Sequence, residues 1–224
     1  RQIKIVYNMW EIKMDFDLGH TISSLAKLAL RTKRNIDKQS NEDKKIKLYQ
    51  LWTDRTYRAF ETKEKTGYKA FMFRGQPIEN WESVELHPSN HNTETGKEIG
   101  DVYSIDVSSV VVNEKCFNVI SSHLQGNVQI LPAQSESQRL YVLNVTKIID
   151  CLDRKNSKLK LFQSSGRIMR VEEYAFHREL LDNVFIFKIP EELHTHPYVT
   201  EDFKKLIEQN NIKGFKFVPV WEEK

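Results

Sequence analysis

After Gly126 the apolar residues arrive in runs of strand length, and this spacing limits the fold more than any other feature of the chain. Residues 128–132, 140–145, 167–174 and 184–189 are each rich in Val, Ile, Leu, Phe or Tyr. Gly166 is placed to turn a hairpin into the strand that begins at Arg167. It does not belong to a phosphate loop, because repeated glycines and a Lys-Ser/Thr ending are lacking. Residues 150–158 are too charged and turn-rich for a central strand. The last run, Phe215-Lys-Phe-Val-Pro-Val-Trp221, contains Pro219, which cannot donate to a ladder and implies an edge or terminal position.

Two short helices are predicted among these strands. Asn113 caps the first, with Phe117, Ile120 and Leu124 at i, i+3, i+7 and Gly126 to end it. Thr200 caps the second, with Phe203, Leu206 and Ile207 as its apolar stripe, and Gly214 releases the chain into the final strand. The economical architecture is α+β, mostly antiparallel sheet with helices packed on it.

The first hundred residues read differently. Residues 3–7 are a short strand candidate, and Ile22, Leu25, Ala26 and Ala29 recur at helical spacing. Ser40-Asn-Glu-Asp43 resembles a capping box, and the helix it starts would carry Ile46, Leu48, Tyr49, Leu51 and Trp52 toward Phe60, with Gly67 as its stop. Residues 68–73 and 83–86 are strand candidates, and 89–100 form a polar loop. The expected organisation is a helix-rich N-terminal lobe with short strands at 1–100 and an α+β domain at 101–224.

A chain of 224 residues with 39% hydrophobic side chains can bury a core without staples. Cys116 and Cys151, the two cysteines, have no metal-type spacing and read as small buried hydrophobes in a reducing compartment. No apolar stretch reaches the roughly 20 residues needed to cross a bilayer, and no signal peptide is visible at residues 1–10, so a cytoplasmic location is expected. The formal charge is +3, with the basic excess in residues 1–100.

Reactive constellations are sparse. His194 and His196 could face one way on an extended segment as metal ligands, but no third ligand is marked by spacing. Cys151 and His177 could pair as nucleophile and base, yet Cys151 follows an apolar stretch that favours a packed thiol. Asp15 with Asp17, Asp150 with Asp153, and Glu172 with Glu173 are carboxylate pairs of the kind any acid-rich surface shows. The basic residues between Lys27 and Lys47, with Tyr49, Trp52 and Tyr57, would suit phosphate contact and base stacking, but +3 is weak for that role. No catalytic residue, metal or cofactor is expected.

Val112-Asn-Glu-Lys-Cys-Phe117, Leu140-Tyr-Val-Leu-Asn-Val-Thr-Lys-Ile-Ile-Asp150, Ile168-Met-Arg-Val-Glu-Glu-Tyr174, Val184-Phe-Ile-Phe-Lys-Ile-Pro190 and Gly214-Phe-Lys-Phe-Val-Pro-Val-Trp221 occur in consistent order and spacing. Over residues 110–221 the chain resembles a bacterial immunity-protein family of polymorphic toxin systems. The resemblance implies a non-catalytic antitoxin that binds the cognate toxin domain of a secreted effector and occludes its active site. The strands of the second half are occupied with folding, so the expected contact surface is the first lobe and the boundary loop: Trp52, Arg55, Arg58, Trp81, His91, Glu94 and Glu98. A nucleic-acid or regulatory binding module is the alternative, and a hydrolase is a third.

Overall fold

The computed structural model describes residues 45–62, 73–89, 98–105 and 109–223. Its strands are β1 (Lys47–Thr53), β2 (Phe60–Thr62), β3 (Val84–Pro88), β4 (Val102–Ser104), β5 (Val110–Asn113), β6 (Val128–Gln134), β7 (Arg139–Val145), β8 (Lys158–Leu161), β9 (Ile168–Glu173), β10 (Ile186–Phe187), β11 (Tyr198–Thr200) and β12 (Phe215–Glu222). The helices are α1 (Glu114–Ile120) and α2 (Glu201–Gln209). Contacts group Lys45–Lys224 into one compact unit.

Three sheets result. The first has the order β10-β11-β1-β12, the second β2-β3-β6-β7-β5-β4, and β8 pairs with β9 alone. Among these described strands every pairing is antiparallel except β3 with β6. A mostly antiparallel α+β fold is therefore what the chain adopts.

Two sheets separate three apolar layers. The central layer takes Leu51, Ile186 and Val199 from the first sheet, Val110, Val112, Leu143 and Val145 from the second, and Cys116, Ile120, Phe203 and Ile207 from the two helices. On the far side of the second sheet, Val111, Leu140 and Val142 pack with Phe60, Phe73, Leu86 and Tyr103. On the far side of the first sheet, Leu48, Phe187 and Tyr198 pack with Cys151, Leu152, Phe176 and Leu181. Strands β1, β5 and β7 thus bury side chains on both faces, and β5 and β7 accordingly read as near-continuous apolar runs.

The local signals of the second half work as their chemistry requires. Asn113 Oδ1 accepts from the Cys116 amide at 3.0 Å and caps α1. Thr200 occupies the N-cap position of α2, whose Phe203 and Ile207 are buried, although its hydroxyl makes no capping bond. Pro219 lies on β12, an edge strand of its sheet. Gly214 has φ +112°, and a Cβ there would stand 2.4 Å from the Val102 carbonyl oxygen, so only glycine allows the turn into β12 to lie against β4. Beside it, Asp101 ties three segments together: its carboxylate accepts from Lys115 Nζ at 2.9 Å, the Lys213 amide at 2.9 Å and Asn113 Nδ2 at 3.1 Å.

The helical N-terminal lobe is corrected. Residues expected to continue a helix from Ser40 toward Phe60 form β1 and β2, and no helix precedes Glu114 among the described residues. Leu48 and Leu51 are both buried at a helix-like spacing of three, yet they face opposite apolar layers across an extended strand. The strand candidate at 3–7 and the helix candidate marked by Ile22, Leu25, Ala26 and Ala29 lie outside the described residues, as do residues 68–72 of the next strand candidate. The strand expected at 184–189 shortens to Ile186–Phe187, with Lys188 bridging to Ile148. Lys158–Leu161, part of which fell in the charged stretch, forms β8 opposite the predicted strand after Gly166.

Candidate interaction surface

The residues proposed from sequence separate into distinct places. Trp52, near the end of β1, is half-buried, and its indole lies on the His196 imidazole with centroids 4.1 Å apart and planes 22° from parallel. Its Nε1 donates to Gln50 Oε1 at 3.3 Å. Gln50 Nε2 in turn donates to the phenolic oxygens of Tyr174, 3.2 Å away, and Tyr198, 3.3 Å away. Both phenols hydrogen-bond to the buried Glu192 carboxylate, Tyr174 at 3.1 Å. A polar chain thus runs from a buried carboxylate to a half-buried aromatic pair, with every donor matched to an acceptor. Burial, reinforced by the Glu192 charge, pushes Tyr174 up to about 12 and Tyr198 higher still.

Arg58 and Glu98 come together, with Arg55 in the turn just before them. The Asp54 carboxylate accepts from the Thr56 amide at 2.9 Å and shapes the turn that holds Arg55. Tyr57 and Glu98 form a parallel bridge, and the Arg58 amide donates to the Glu98 carbonyl at 3.0 Å. Anchors lie on both sides, with the Asp54 amide on the Gly214 carbonyl and the Asp101 amide on the Lys213 carbonyl, each at 2.8 Å. Arg55 and Glu98 are exposed, and next to them Ile99 is 73% exposed. Composition gave no reason to single out Ile99, because a lone apolar residue beside a polar loop has no periodicity to mark it.

Trp81 stands apart. It packs against the layer that holds Phe60 and Tyr103, and its Nε1 donates to the Pro132 carbonyl at 2.9 Å. His91 and Glu94 lie outside the described residues.

The reactive candidates are placed as structural groups. Cys116 and Cys151 are free thiols, both fully buried. Burial pushes Cys151 up to about 12 and Cys116 higher, so neither forms a thiolate near neutral pH. The His177 amide donates to the Cys151 carbonyl at 2.8 Å, while the His177 ring is exposed, 3.6 Å from Glu179. His196 stacks on Trp52, and no group of three or more metal-type ligands occurs among the described residues. Asp150 pairs with Arg154 at 2.7 Å, Asp153 accepts from the amides of Lys155 and Asn156, Glu172 pairs with Arg170 at 2.8 Å, and Glu173 with Lys158 at 3.3 Å. Asp15 and Asp17 lie outside the described residues.

Sequence reasoning missed Lys188. This side chain is 1% exposed, and its ammonium donates to the carbonyls of Leu193 at 2.7 Å, Phe73 at 3.2 Å and Thr195 at 3.3 Å. It ties the segment at Phe73 to the loop that carries His194 and His196. Surrounded by apolar residues in Val184-Phe-Ile-Phe-Lys-Ile-Pro190, the lysine was the one available signal.

The structure is thus a frame of two sheets covered on both faces, in which Asp101, Lys188 and Glu192 tie separate segments together. Residues 29–222 match the model of the immunity protein family Imm11, and the chain belongs to that family. The match reaches well before residue 110, so the first half shares the family character with the second. A search of curated proteins finds no match.

Proposed function

We propose that this chain neutralises the cognate toxin domain of a secreted bacterial effector by binding it stoichiometrically and covering its active site. Family membership supports the toxin-directed role. The observation that carries the reading is the patch at Arg55, Arg58, Glu98 and Ile99, where a 73% exposed isoleucine adjoins both signs of charge on doubly anchored backbone. An apolar centre with a charged rim on a rigid support is what a tight protein interface needs. The chain's own side chains undergo no bond-making, and the complex forms in the cytoplasm, where competing bacteria deliver such toxins.

The test is co-expression with the C-terminal domain encoded by the reading frame directly upstream. Rescue of growth and co-purification as a stable complex are the expected results. Steeply salt-dependent binding to DNA or RNA, without toxin binding, would favour a regulatory module. Turnover of a small substrate by the purified chain, lost on changing one polar residue, would establish an enzyme.

A further inference from the structure

The β8–β9 hairpin forms a sheet of its own, so its outer edges meet no other strand among the described residues. Its base is fixed. Val171 is buried and Leu159 half-buried against the layer that holds Phe176, and Ser157 Oγ accepts from the Ala175 amide at 3.0 Å. Its outer end is not covered. Leu161 is 48% exposed, Phe162 45% and Met169 44%, which places three of the five large exposed hydrophobics of the described residues on this one element. The tip is closed by the Phe162 amide on the Arg167 carbonyl and the Gly166 amide on the Phe162 carbonyl, each at 2.9 Å. A Cβ on Gly166 would meet nothing within 4 Å, so the tip stands clear of the body.

Its charge is positive on balance, with Glu172 and Glu173 at the base and cations toward the tip. Residues 154–171 contain Arg154, Lys155, Lys158, Lys160, Arg167 and Arg170 and no acid. Lys160 lies directly across from Arg170, a like-charge pairing that weakens a two-stranded ribbon. Glu172 pairs with Arg170 at 2.8 Å and its charge also acts on Lys160, so one carboxylate serves both cations, while Arg167 at the tip forms no ion pair among the described residues. An apolar arm that retains opposed cations is complementary to an anionic, partly apolar recess.

We propose that this hairpin is an arm that enters an anionic cleft of the cognate toxin domain, with Phe162 and Met169 as apolar anchors and Lys160 and Arg167 facing carboxylates of the cleft wall. The proposal rests on the toxin-binding reading above. A protein cleft suits the arm better than a lipid surface, because the leading residues Gln163-Ser-Ser165 are polar and would enter hydrocarbon first. It suits the arm better than a nucleic acid, because Phe162 is the one aromatic ring in residues 158–171 and base stacking uses several.

The experiment measures affinity for the purified domain encoded directly upstream, using the full chain, a Phe162→Ser/Met169→Ser variant and a Lys160→Glu/Arg167→Glu variant. The anchor variant should lose at least about 30-fold in affinity, the size of a hot-spot loss. The charge variant should associate at least about tenfold more slowly at low salt, with the difference shrinking as salt rises. Melting temperatures should stay within about 2 °C of the parent; if the anchor variant melts early, the charge variant decides. Unchanged affinity in both variants, with the parent binding, overturns the arm and leaves the toxin-binding reading standing. Absence of binding by the parent overturns that reading and the arm with it. Binding of the parent to phosphatidylglycerol vesicles or single-stranded DNA, lost in the same variants, would overturn a protein cleft as the occupant.

Discussion

The indole of Trp52 and the imidazole of His196 stack at 4.1 Å, joining the central strand β1 to the loop that precedes β11. The pair is half-buried and backed by Gln50, so Trp52 serves the fold whatever else it touches. Trp52→Ala should lower unfolding free energy by about 1–3 kcal/mol, from lost apolar burial and the stacking contact. Urea titration checks it. A variant with parental stability would place Trp52 outside the scaffold.

Arg55 and Arg58 lead to the opposite expectation. Neither has an ion pair within the described residues, and their segment is held by backbone bonds and by Asp54. Arg55→Glu/Arg58→Glu should weaken toxin binding while leaving the melting temperature nearly unchanged. Calorimetry on the complex and on the free protein separates the two quantities, and equal loss of both would show a structural role.

The Glu192 cluster predicts alkaline sensitivity. Tyr174 is raised to about 12 and Tyr198 further, above the ordinary value near 10. A phenol whose folded pKa exceeds its unfolded one contributes stability that is complete below about pH 10 and is lost as pH rises through the folded value. Both should stay protonated at about pH 11 in the folded protein, as should Tyr49, also raised to about 12 by burial and its bond to Glu201. Absorbance of tyrosinate against pH reads this directly. Tyr198→Phe should cost about 1–3 kcal/mol, because it removes a donor from a buried carboxylate.

Lys188 supplies the last prediction. Lys188→Met keeps the length of the side chain and removes the ammonium, leaving the carbonyls of Phe73, Leu193 and Thr195 without that donor. The expected cost is about 2–4 kcal/mol. Hydrogen exchange should quicken first around residues 73–78 and 193–196. Uniform exchange across the chain would show that the lysine does not tie those segments together.

What the sequence disclosed was local chemistry. Asn113 capping α1, Gly166 turning the hairpin and Pro219 at an edge each depend on a residue and its immediate neighbours, so they could be read without knowing what lay across the sheet. β1 could not be read that way. Leu48, with Ile46 just before the strand, faces one apolar layer, and Tyr49 and Leu51 face another, so alternation vanishes and a helical period fits by accident. Of the contact residues expected from sequence, Arg58 lies on the Glu98 backbone and Trp52 on His196, whereas the Lys188 tie and the exposure of Ile99 depend on contacts with no local trace.

The pairing of β1 with β11 and β12 has a kinetic consequence. Lys47 meets Glu222 and Leu48 meets Thr200, so a ribosome must pass residue 198 before this strand finds its first neighbour and residue 215 before it finds its second. Until the first arrives both its edges stand open to strangers, and the nascent chain is prone to aggregate through them. A chain broken anywhere between residues 53 and 198 therefore leaves this strand with both edges bare, and one broken just before Phe215 leaves it with one.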